Sequence, residues 1–195
     1  MHIRPALVSA AAAAALALVP LGAASAQTYQ HSDPAKDVAS QSVDSTTNAS
    51  TPAPTTKDPD IVRMTVRHTG QRVNTRLRLR DLARTGDLAM VGLKVRTNEH
   101  VHRELDVFSA PGQWGGRTMF SSPRKSVTCK GVRHHLDYAT NVITLSIPSS
   151  CLSNPRWVQV GVGAVRLSGK TAYGDDAQSS TMANNLHWSP RIHRG

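Results

Sequence analysis

From residue 60 onward, apolar and polar positions alternate with a period of two, the repeat of an extended strand with one buried face. Val62, Met64 and Val66 alternate with Arg63, Thr65 and Arg67. Val73, Thr75, Leu77 and Leu79 alternate in the same way with Asn74, Arg76, Arg78 and Arg80. Val91, Leu93 and Val95 continue the pattern, followed by residues 101–108 and 117–120, then Leu136 with Tyr138, then Ile143, Leu145 and Ile147. Val158, Val160, Val162 and Ala164 form the cleanest run. Short alternating runs broken by Gly, Asn and Pro clusters predict an all-β antiparallel sandwich or barrel, and of the two a β-sandwich of short strands is expected. Helical periodicity is confined to the first residues, apart from one turn expected near 148–153.

Two hairpins can be set in register from this pattern. A two-residue loop at Thr69-Gly70 pairs Val66 with Val73 and Val62 with Leu77 on the buried face. It also pairs Arg63 with Arg76 and Arg67 with Arg72 on the opposite face. A loop at Thr140-Asn141 pairs Tyr138 with Ile143 and Leu136 with Leu145, and its ladder leads outward to within one residue of a Cys129–Cys151 pairing. A bulge near Lys130-Gly131 closes that gap.

The segment before residue 60 has a different character. Residues 1–26 read as a secretory signal peptide: a short basic start at His2 and Arg4, an Ala/Leu/Val run to Val19, a break at Pro20, and the small-residue pattern Ala24-Ser25-Ala26. The run is short for a membrane span and Pro20 interrupts it, so no span is expected after cleavage. Residues 27–58 are rich in Ser, Thr, Ala, Pro and Asp and read as a low-complexity flexible linker, with a short strand as a candidate at 28–31. The folded domain then occupies 59–195. An exported chain meets an oxidising compartment, and Cys129 and Cys151 are its two cysteines, so a single disulfide between them is expected. The expected location is secreted or extracellular.

Charge adds the least ordinary feature. The chain carries 23 Lys and Arg against 13 Asp and Glu, a formal net charge of +10. Cleavage of the leader removes Arg4 and no acid, so the mature chain stays basic. Arg63, Arg67, Arg72, Arg76, Arg78 and Arg80 all fall opposite the buried positions, with no carboxylate among them. Like charges facing each other across a strand pair destabilise it. The row is either a solvated face, neutralised by acids on a neighbouring strand or built from the chain's preferred basic residue, or it is kept for an anionic ligand. Trp114, in the glycine-rich loop 110–116, is a candidate platform for a sugar ring or a cover for the end of the core.

Chemistry beyond binding has weaker signals. No G-x-S-x-G, H-E-x-x-H or P-loop pattern occurs. His100 with His102, and His134 with His135, lack a nameable third ligand. Asp58 and Asp60 at a strand start, and Asp175 and Asp176 after Tyr173-Gly174, are candidates for a calcium cage, with ordinary turn chemistry as the alternative. No other cofactor is expected, and no carboxylate pair stands out as a glycosidase site.

Asp60-Ile61-Val62-Arg63 through Asp81-Leu82, Val127 to Gly131, Pro148 to Val158 and Tyr173 to Ala177 resemble segments of secreted β-sandwich proteins of actinobacteria, a family with no established activity. More distantly, the strand order is similar to carbohydrate-binding and haem- or sugar-binding sandwiches of the DOMON type, without any haem-ligand motif to carry over. The functional expectation is a secreted, non-catalytic module binding an anionic polymer of the cell envelope through the arginine-rich face. Specific nucleic-acid recognition ranks last, because no aromatics interleave the arginines. The alternatives are a structural or accessory extracellular protein that binds another protein, and a polysaccharide hydrolase.

Overall fold

The computed structural model describes residues 27–47, 49–180 and 186–195. The signal-peptide reading falls on residues 1–26, outside the described residues. Among the described residues fourteen strands run in chain order: β1 (Gln27–Ser32), β2 (Ala39–Ser42), β3 (Thr51–Pro52), β4 (Ile61–His68), β5 (Arg72–Leu79), β6 (Leu88–Thr97), β7 (His102–Ser109), β8 (Arg117–Ser122), β9 (Lys125–Ser126), β10 (Arg133–Asp137), β11 (Val142–Pro148), β12 (Trp157–Ser168), β13 (Thr171–Asp176) and β14 (Ile192–His193). A single 3₁₀ turn, Ser149–Leu152, follows β11. The first sheet has the order β1-β4-β5-β11-β10. The second has the order β3-β2-β13-β12-β6-β7-β8-β9, with β14 added to β12. Every pairing is antiparallel, as the sandwich expectation requires.

The alternating positions meet between the sheets. Met64, Val66, Val73, Leu77, Ile143, Leu145 and Ile147 of the first sheet share one core with Leu93, Val95, Leu105, Val107, Val158, Val160 and Val162 of the second. The Cys129–Cys151 disulfide is formed, with its Cα atoms 6.0 Å apart, and ties the entry to β10 to the 3₁₀ turn. Trp157, at the head of β12, lies outside this core and is stacked under the Arg191 guanidinium at 4.6 Å.

Both hairpins keep the expected faces but differ in register by two residues. His68 pairs with Val73, so the loop has four residues, Thr69 to Arg72, rather than two. The Thr69 hydroxyl explains it: its Oγ1 accepts the Arg72 N–H at 2.9 Å and donates to the Arg72 carbonyl at 3.1 Å, while Thr69 N–H also bonds that carbonyl. In the second hairpin Leu136 pairs with Ile143, not Leu145. There the Asp137 carboxylate accepts the Ala139 and Thr140 amides and the Thr140 hydroxyl, and Asn141 takes a positive φ of 56°. A shift of two leaves every side chain on its original face. A bulge between Ile61 and Arg63 turns Ile61 inward and leaves Val62 half-buried.

Residues 27–58, expected as a flexible linker with a candidate strand at 28–31, contribute three strands, the first of which, β1, covers that candidate. β1 pairs along its whole length with β4, from Gln27 opposite His68 to Ser32 opposite Arg63. The chain then crosses to the second sheet, where β2 pairs with β13. Composition misled here because a strand can be held by backbone ladders and a single deep anchor; Val38 is fully buried.

Candidate functional site

The five strands of the first sheet present one polar outer face. Residues directly opposite each other share a face, so three rows cross the sheet. The first runs Thr28, Arg67, Asn74, Ser146, Arg133; the second Gln30, Thr65, Arg76, Thr144, His135; the third Ser32, Arg63, Arg78, Val142, Asp137. Arg63, Arg67, Arg76 and Arg78 are exposed and make no ion pair among the described residues. Arg63 directly opposes Arg78, not Arg76 as the two-residue loop implied, and Arg67 opposes Asn74, not Arg72. The one acid on the face, Asp137, is occupied with its own turn, and the Thr140 hydrogen bonds hold its carboxyl below the usual range. Arg133 and His135, on the edge strand, extend the basic surface.

The other two arginines of the expected row have structural partners. Arg72 donates from Nε to Ser146 Oγ at 2.7 Å, and from Nη2 to the Gly131 carbonyl at 2.6 Å and the Ser146 carbonyl at 3.2 Å. Ser146 Oγ in turn donates to Asn74 Oδ1. Arg72 therefore braces β5 and β11 against the chain leading to β10. Arg80 leaves the face altogether and forms a 2.6 Å ion pair with buried Asp60. Trp114 is half-buried in a pinned loop: its carbonyl accepts the Tyr138 hydroxyl at 2.8 Å, and the neighbouring Gly115 carbonyl is 2.9 Å from His134 Nε2.

The four calcium candidates do not converge. Alternation along β13 separates Asp175 from Asp176. Asp175 pairs with core-facing Ala164 and so points between the sheets, where its Oδ2 accepts the Ile61 amide of the first sheet at 2.6 Å. Asp176 pairs with Gly163 and points outward, where its Oδ2 accepts the His187 amide at 2.9 Å and lies 2.8 Å from His187 Nδ1. Asp58 turns to the Ala83 amide. Asp60 and Asp175 instead join two acids that sequence reasoning had left in the linker, Asp33 and Asp37. One oxygen each from Asp33, Asp37 and Asp175 lies within 4.8 Å of the others. Burial, then repulsion from Asp175 and the other acids, pushes Asp33 up to about 9. Burial likewise raises Asp175 to about 8, against the pull of the Ile61 amide. No sequence signal could have joined these four residues, because the sheet crossover after β1 brings them together.

A cavity of about 180 Å³ on the outer side of the second sheet is lined by Met90, Lys94, Glu104, Asp106 and Leu186 among others. Burial and the adjacent Glu104 push Asp106 up to about 6. The space is smaller than the roughly 300–1,000 Å³ of ordinary ligand sites, and too small for a sugar chain. Among the described residues no helix is long and apolar enough to cross a membrane.

The chain matches no family model, no curated protein and no solved structure. Function is therefore argued from the sites alone.

Proposed function

We propose that the protein is a secreted, non-catalytic module that binds anionic polymers of the cell envelope through the outer face of its first sheet. The observation that carries this reading is the set of four exposed arginines, Arg63, Arg67, Arg76 and Arg78, without a carboxylate partner and flanked by Arg133 and His135. An unneutralised Arg63–Arg78 pair destabilises the sheet, so a bound anion relieves a strain that the fold otherwise carries. Residues two apart on a strand stand about 6.8 Å apart, a spacing over which guanidinium groups can track a row of phosphates or carboxylates. Apart from His135, the rows hold no ring on which a base could stack, so the expected ligand is a polyanion recognised by charge rather than by sequence. The disulfide fits the oxidising compartment in which such polymers lie.

The test is binding to purified envelope polymers, teichoic acid and acidic polysaccharide in separate arms, across a salt series. Affinity should fall steeply with salt. The quadruple variant R63Q/R67Q/R76Q/R78Q should lose at least about tenfold in affinity and flatten the salt dependence, with an unchanged far-ultraviolet spectrum. Arg72 is left intact, because its loss would disturb the fold. A variant that binds like the parent reduces the face to a solvated surface.

A further inference from the structure

The segment that carries the chain from the first sheet to the second, residues 33–38, brings Asp33 and Asp37 against Asp175 of β13 and Asp60 just before β4. Asp60 is tied to the same segment through its Oδ2, which accepts the Lys36 amide at 2.8 Å as well as the Arg80 guanidinium. Of the four carboxylates only that of Asp60 is paired with a guanidinium among the described residues. The Asp33 side chain is fully buried, and neither of its oxygens accepts a hydrogen bond. Both oxygens of Asp37, Asp60 Oδ1 and Asp175 Oδ1 are likewise buried and without a hydrogen-bond donor. The nearest basic group to Asp33 is His31, whose Nε2 is 3.9 Å from Oδ1. Buried carboxylate oxygens without donors are costly, and they are normally met by a cation or a proton.

We propose that Asp33, Asp37 and Asp175 bind one calcium ion, which clamps the N-terminal crossover to β13. The donor set is entirely carboxylate oxygen, which selects a hard cation over zinc or copper. Oxygens within 4.8 Å of one another fall inside the roughly 5.2 Å that can separate two ligands across a calcium at about 2.6 Å. Magnesium keeps several of its waters in a rigid octahedron and is seldom held by a dedicated set of protein carboxylates. Calcium takes a looser shell of oxygen ligands, which the three carboxylates can supply in part. The clamp explains why a Ser- and Thr-rich segment with one deep apolar anchor forms part of both sheets. It does not rest on the polyanion reading.

The experiment is thermal unfolding of the exported chain, first stripped with EGTA and then titrated with calcium, magnesium or zinc chloride. Calcium should raise the melting temperature saturably, by about 5 °C at 10 mM if the site has the sub-millimolar affinity of extracellular modules. It should also protect residues 33–58 from limited proteolysis. Asp33→Asn and Asp37→Asn should each abolish the shift, and their calcium-free forms should melt no lower than the calcium-free parent because a like charge has been removed. Asp44→Asn, which alters an exposed acid paired with Lys170, should leave the response intact. The proposal is overturned if calcium moves neither melting nor proteolysis, if the Asp33 and Asp37 variants respond like the parent, or if Asp44→Asn also loses the response. A response confined to zinc overturns it too, since zinc would point to His31 as a ligand.

Discussion

Arg72 and Arg76 occupy the same strand and the same face, four residues apart, yet they should behave oppositely when truncated to methionine. Arg72→Met removes three hydrogen bonds that join β5, β11 and the chain before β10. A bond from a charged donor is worth about 1.5–3 kcal/mol and an ordinary one about 0.5–1.5. The exposed Gly131 carbonyl can recover water, which places its share at the low end. Ser146 Oγ keeps Asn74 as a partner, so it is not left orphaned. Because both acceptor residues recover partners and the guanidinium regains water, the net loss is well below the sum of three such bonds. It is about 2 kcal/mol, equivalent to a fall of roughly 4–8 °C in melting temperature for a domain of this size. Arg76→Met removes no hydrogen bond or ion pair among the described residues, so its effect should stay within about 0.5 kcal/mol. It also lessens the positive charge of the face, which works in the stabilising direction. Circular dichroism melts of the two variants beside the parent decide the matter. Equal shifts for both, in either direction, refute the assignment of Arg72 to the fold and Arg76 to the surface.

Replacing both Cys129 and Cys151 with serine frees a loop of 22 residues' separation and should cost about 3 kcal/mol in the chain-entropy account, read as a lower urea midpoint; an unchanged midpoint contradicts it. His68 is buried with Nδ1 3.0 Å from the Ile192 carbonyl, and burial, with Arg194 and His193 nearby, lowers its pKa. The folded state therefore prefers the neutral ring, so this contribution is full above the ordinary value of about 6.5 and is lost as pH falls through the lower folded value. His68→Gln should flatten the fall in melting temperature between pH 8 and pH 5, and an unaltered slope would show that other groups set it.

The period-two pattern was enough to determine the fold class, because alternation commits each strand to one buried face whatever its partner. It also placed Arg63, Arg67, Arg76 and Arg78 on the outer face, since a two-residue slip in register preserves faces. The disulfide was legible for a different reason: two cysteines in the whole chain leave one pairing. Register itself depended on Thr69 and Asp137, whose side chains cap four-residue turns, and the Thr69 turn sets Arg63 against Arg78. That choice was available in the sequence, but it required weighing a threonine and an aspartate as turn makers rather than counting apolar positions. Nothing local could separate the six arginines into four exposed ones, a brace and an ion pair, because Ser146, Gly131 and Asp60 reach them only across the sheet. The carboxylate cluster lies furthest from sequence reasoning. Asp33 and Asp37 sit in a stretch whose composition suggests disorder, and more than a hundred residues separate them from Asp175. Only the crossover between the sheets, with the inward turn of every second β13 side chain, places them together.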